Sequence, residues 1–237
     1  MYKFLLIIAI GFLACTVNAQ VSENVVTWDY PVNPSTPGWF DLSFEEKILA
    51  YNIPDEILKK ISTAELVKVC FAYPDWGIIH AYNDRITGLS NLMRQFNGFY
   101  ELVDRKDAAK ELIKYYAGMD PLSIGKDWTD VQKGFYCFHI YHIELLLSVR
   151  RIIDQLDDRD RQVLLDEVAL KYNQKKQRPD VYGVWELSPV AGLCLNIIDR
   201  DGENSKNDTK LLSLKRNFVT DDMKVLDSVF ELANKLR

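Results

Sequence analysis

No two cysteines in this chain stand in a CxxC spacing, which argues against both a zinc ribbon and a thioredoxin-like redox centre. HExxH pairs, GxSxG elbows, phosphate-binding glycine loops and dinucleotide fingerprints are also missing, so no local motif names a catalytic residue. There are three histidines, and basic residues form no long block. With a net charge of −5 the chain does not look like a nucleic-acid binder, because neutralised phosphate supplies most of that affinity. Strict alternation of apolar and polar residues is nearly absent. Val181 to Leu187 is the one stretch that could be a strand, and one strand makes no sheet. The expected fold class is all-α.

What is present begins with an address. Lys3 followed by the apolar run Phe4 to Leu13, then Val17-Asn18-Ala19, reads as a signal peptide over residues 1–19. The expected location is therefore periplasmic or secreted. The alternatives are a lipoprotein anchored at Cys15 and a retained membrane anchor, which the short apolar run disfavours. Losing Lys3 with the leader moves the charge from −5 to −6. Beyond the leader no transmembrane helix is expected. Cys70, Cys137 and Cys194 each sit among apolar residues and read as buried thiols, although export would also permit one disulfide.

Residues 20–42 read as an extended arm. Pro31, Pro34 and Pro37 oppose helix, and Trp28, Tyr30, Trp39 and Phe40 stand between them. These aromatics either strap the arm to a helical body or, through Trp28, Tyr30 and Trp39, form a platform for a ligand.

Residues 43–237 read as a single helical domain. Ser43-Phe-Glu-Glu46, Ser62-Thr-Ala-Glu65 and Thr129-Asp-Val-Gln132 have capping-box spacing. Ile86, Leu89, Leu92, Met93 and Phe96 recur at helical spacing. Gly134 to Val149 contains one ionised group, Glu144, with apolar or aromatic residues on every side of the wheel. A helix of that kind must be covered all round, so a central helix from Thr129 to about Leu156 is expected, with the others packed about it. A short array of helical hairpins is a possible arrangement. Asp158 to Lys175 forms a second long helix, whose basic end (Lys171, Lys175, Lys176, Arg178) suits the helix dipole. Ser188-Pro189 reads as the cap and first turn of a helix ending near Asp199, and Asp199 to Asp208 as a solvated turn that fails the EF-hand spacing.

Residues 30–116 also carry a resemblance. Tyr30-Pro-Val-Asn-Pro-Ser-Thr-Pro-Gly-Trp39, Ile53-Pro-Asp-Glu-Ile-Leu58, Ser62-Thr-Ala-Glu-Leu66, Tyr73-Pro74, Ala81-Tyr-Asn83, Phe96-Asn-Gly98 and Leu102-Val-Asp-Arg-Lys-Asp-Ala-Ala109 occur in that order. Together they resemble a group of exported, uncharacterised all-helical bacterial proteins. The resemblance implies an exported helical protein and brings no activity, substrate or site residue with it. Ser35-Thr36-Pro37-Gly38 departs from that group's Pro-Gly-Thr order.

Two functions fit these observations. The first is an exported, non-catalytic helical domain, without a cofactor, that binds an envelope protein or a small extracellular ligand. The second is a metal-dependent enzyme, such as a hydrolase, centred on His139 and His142. A spacing of three puts those two on neighbouring parts of one helix face, while Glu144 projects away and a third ligand such as His80 must come from elsewhere.

Overall fold

The computed structural model describes residues 25–236. The segment read as a leader, its expected cleavage point, Cys15 and Asn24 lie outside them. The described chain enters as irregular backbone and a 3₁₀ turn at Trp39–Asp41. Then come α1 (Phe44–Tyr51), α2 (Asp55–Leu58), α3 (Thr63–Phe71), a 3₁₀ turn at Trp76–Ala81, α4 (Arg85–Gln95), α5 (Asn97–Asp104) and α6 (Ala108–Ala117). A third 3₁₀ turn at Pro121–Ser123 leads to α7 (Asp130–Leu147), α8 (Arg150–Ile153), α9 (Asp158–Lys176), α10 (Val184–Ile198), α11 (Thr209–Asn217) and α12 (Met223–Leu236). Among the described residues there is no strand, and the fold is all-α.

The sequence spacings set the helix starts. Ser43 and Glu46 close a full capping box on α1, and Thr129 and Gln132 close one on α7. Ser62 accepts from the Glu65 amide on α3, but Glu65 turns its carboxylate to Lys68 and leaves the box half made. α3 packs against α5, α6 and α7, and α10 packs against α7, α9, α11 and α12. α7 therefore joins an N-terminal group of helices to a C-terminal one, and a single apolar core runs through both. Among the described residues no helix is long and apolar enough to cross a membrane.

The helix enclosed on all sides is α10, not α7. Its residues from Leu187 to Leu195 are all buried, whereas α7 is buried mainly from Ile140 onward and exposes Phe135 and Phe138 in its first half. α7 also ends at Leu147, short of the expected Leu156. The Ser148 hydroxyl donates to the Leu145 carbonyl, Val149 is extended, and Arg150 and Arg151 reach out to the Arg200 carbonyl and to Asp104. Burial of Ile152 and Ile153 just after the turn favours it, and no local pattern encodes that burial.

α10 starts at Val184 rather than at Ser188-Pro189, and it takes up most of the stretch that could have been a strand. Glu186 accepts from the Gly183 amide at 2.8 Å, and Pro189 lies inside the helix. An interior proline costs about 3 kcal/mol. The all-round burial of this segment offsets that cost.

Lys171 and Lys175, in the basic end of α9, are buried, each 2% exposed. They continue the stripe of Leu164, Val168 and Tyr172 on α9. The loop after α10 folds over the buried Asp199 carboxylate, which accepts from the Asn204 and Ser205 amides at 2.8 and 3.1 Å and from the Ser205 hydroxyl at 2.5 Å. The rest of the turn is solvated as expected, with Asp201, Glu203, Asn204, Lys206, Asn207 and Asp208 exposed. None of Cys70, Cys137 and Cys194 is in a disulfide; Cys70 and Cys194 are buried as expected, whereas Cys137 is half-buried.

Candidate functional site

The exposed half of α7 forms the partition between two clefts. Helical spacing sends Lys133, Gly134, Cys137 and Tyr141 to one side and Phe135, His139 and His142 to the other, with Phe138 lining both. His80, from the 3₁₀ turn, stands edge-on to Phe138 with ring centres 6.0 Å apart and also lines both.

The first cleft holds about 470 Å³. Tyr141, Tyr182 and the exposed Trp185 supply its aromatic surface. Gly134 faces it with open space where a side chain would begin, since an added Cβ would meet nothing within 4 Å. Most ionised groups around it are already engaged: Lys133 with Asp130 at 3.4 Å, Asp180 with Arg178, and Lys175 with Glu144. Arg85 takes part in no ion pair among the described residues; it donates to the Tyr82 carbonyl at 3.4 Å and to the Tyr141 hydroxyl. Burial pushes the Tyr141 hydroxyl up to about 12, against the pull of the nearby Arg85 guanidinium.

Beneath this cleft lies a closed polar network. Glu144, fully buried, accepts from the Tyr116 hydroxyl at 2.9 Å and from Lys175 through both carboxylate oxygens at 2.8 and 2.9 Å. Lys175 also donates to the Glu186 carbonyl at 3.1 Å. Burial raises the Glu144 carboxyl above its usual range, and Lys175 and Tyr116 oppose that. Glu144 does project away from His139 and His142, and its partner comes from α9.

The second cleft, about 400 Å³, contains all three histidines among Phe71, Tyr73, Trp76 and Phe135. His142 lies flat on the Trp76 ring, centres 4.2 Å apart and planes at 9°. Burial, reinforced by His139 and His80, pushes its imidazole down to about 3. His139 shares a 2.9 Å hydrogen bond with the Tyr115 hydroxyl, and burial lowers it as well. His80 is lowered by burial and by Arg85. The three rings share one wall, yet among the described residues no three His, Cys, Asp or Glu side chains come together as a metal site. The geometry suits neutral imidazoles used as aromatic surface.

The arm aromatics lie elsewhere. Tyr30 is set into the body among Tyr51, Tyr73 and Phe96, and its hydroxyl donates to the Val69 carbonyl at 2.9 Å. The Trp39 indole donates to Tyr51 at 3.1 Å, with the Lys47 ammonium over its ring. Trp28 is half-buried. Sequence reasoning missed Arg85, Tyr141, Tyr182 and Trp185. The available signal was the split of Phe135, Phe138 and Tyr141 across two helical stripes, which a reading of α7 as covered all round discards. The chain was compared with protein-family models, curated proteins and solved structures, and it matches none of them.

Proposed function

We propose that this protein is an exported, non-catalytic helical domain that binds a small extracellular ligand made of a planar ring system with an anionic group. The carrying observation is the exposed Phe138 partition, with aromatic walls on both sides and Arg85 beside it without a carboxylate partner. Clefts of this size, largely apolar with a few convergent polar groups, suit small molecules. Rings stack on rings, and a guanidinium in an apolar surround orients an anion. The leader at residues 1–19 and the resemblance of residues 30–116 to exported helical proteins support export.

The test uses 1-anilinonaphthalene-8-sulfonate, an anion built on a planar naphthalene ring system, titrated by fluorescence. Arg85→Gln is expected to weaken binding about tenfold or more, since a hydrogen bond to a charged group contributes about 1.5–3 kcal/mol. Gly134→Leu is expected to block the first cleft while leaving the melting temperature near wild type, because the space above Gly134 is open. Wild-type affinity in both variants would overturn the proposal.

A further inference from the structure

Away from α7's exposed half, its early end creates another concavity. Where the chain turns at Ser148 and Val149, the ends or faces of α4, α5, α8, α10 and α11 leave a groove of about 530 Å³. Its floor is aliphatic: Ile86, Leu89 and Met93 come from α4, Val103 from α5 and Val149 from the turn. Its rim is cationic, with Arg94, Arg150, Arg151, Lys215 and Arg216 and not one carboxylate among the lining residues.

The acids that engage these cations stand outside the groove. Arg150 pairs with Asp154 at 2.9 Å, Arg151 with Asp104, and Arg216 with Asp84 at 3.7 Å, all on largely exposed guanidinium groups. Exposed pairs of this kind contribute little and exchange readily. Arg94 has no ion pair among the described residues and donates to the Asn91 side chain. The guanidinium groups can therefore turn inward toward an anion, over a lining that is otherwise mainly apolar, with Ser90, Tyr100, Ser148 and Asn196 beside the aliphatic residues.

We propose that this groove is a second binding site, for a long-chain carboxylate whose alkyl chain lies on the α4–α5 floor and whose head group is held by Arg94 and Arg216. The class follows from complementarity. An aliphatic floor favours each methylene it takes out of water. A carboxylate matches the paired N–H groups of a guanidinium. The aromatic walls and mixed charges of the α7 clefts offer neither in this combination.

The probe is cis-parinarate, a polyene fatty carboxylate whose fluorescence rises on binding. The purified protein is expected to bind it at a ratio of one to one. Arg94→Glu/Arg216→Glu is expected to weaken binding at least tenfold, and Met93→Trp, which fills the floor, to do the same. Arg85→Gln, in the other cleft, is expected to bind parinarate as wild type does. Should the charge-reversed protein fail to fold, Arg94→Gln/Arg216→Gln tests the same point. The proposal is overturned if the wild type does not bind, if the rim and floor variants bind normally, or if Arg85→Gln loses binding. Equal affinity for the corresponding fatty alcohol, or a preference for an acidic peptide over palmitate as competitor, would also overturn it.

Discussion

His142 shows how one side chain takes its character from its neighbours. With its ring flat against Trp76 and Phe138 nearby, the imidazole has little water around it, and its folded pKa is held near 3. The unfolded value is about 6.5. Between those limits the unfolded chain takes up a proton that the native protein does not, so the stability present at neutral pH is lost as the pH falls below about 6.5. The slope expected from this residue is about 1.4 kcal/mol per pH unit. His142→Phe keeps a ring on Trp76 and removes the titration. Urea melts between pH 7 and pH 4 are expected to show a shallower pH dependence for the variant, by about one proton. The carboxylates cancel in the comparison because both proteins carry them. Identical slopes would mean that the imidazole is solvated in the native state.

At the scale of the element, two helical glycines have opposite expected effects. Ordinarily Gly→Ala inside a helix stabilises by about 0.5–1 kcal/mol. Gly134 meets that case, because its Cβ would enter open space. Gly88 on α4 does not, since a Cβ there would lie 2.4 Å from the Ile79 carbonyl oxygen in the 3₁₀ turn. Backbone cannot move aside as a flexible side chain can, so Gly88→Ala is expected to destabilise by about 1–3 kcal/mol. Thermal melts of the two variants should shift in opposite directions, and a stable Gly88→Ala protein would mean that α4 and the turn are not in close contact. The same elements show how much was legible beforehand. Caps at Ser43 and Thr129 could be read directly, because a cap is satisfied within four residues. The end of α7 at Leu147 could not, since Ile152 and Ile153 on α8 are buried in a body to which α5 and α6, distant in sequence, contribute. The start of α10 at Val184 was hidden by Pro189, whose local cost is outweighed by burial that only the assembled fold provides. Of the site, the three histidines were visible as a chemical group, but their neutral stacked state depends on Trp76 and Tyr115, which lie on other elements.

Across the whole molecule, the Glu144–Lys175 pair connects what the apolar core alone would leave free to slide. Tyr116 on α6, Glu144 on α7, Lys175 on α9 and the Glu186 carbonyl on α10 meet at one buried point. This point lies where the N-terminal and C-terminal groups of helices join. Removing both charges from water is costly, and the mutual attraction largely offsets that cost without a large surplus. Loss of one partner is a different matter, because it leaves an uncompensated buried charge. Lys175→Met is therefore expected to destabilise by about 3–5 kcal/mol, and Glu144→Met by a similar amount. The double variant Glu144→Met/Lys175→Met should recover much of the loss, giving a large coupling in a double-mutant cycle. Chemical denaturation of the four proteins measures it. If the two single losses simply add, Lys175 is not compensating Glu144, and the network is a coincidence of packing. If the coupling appears, the basic end of α9 has its function in the core, with Lys176 exposed and Arg178 half-buried on the Ile124 carbonyl.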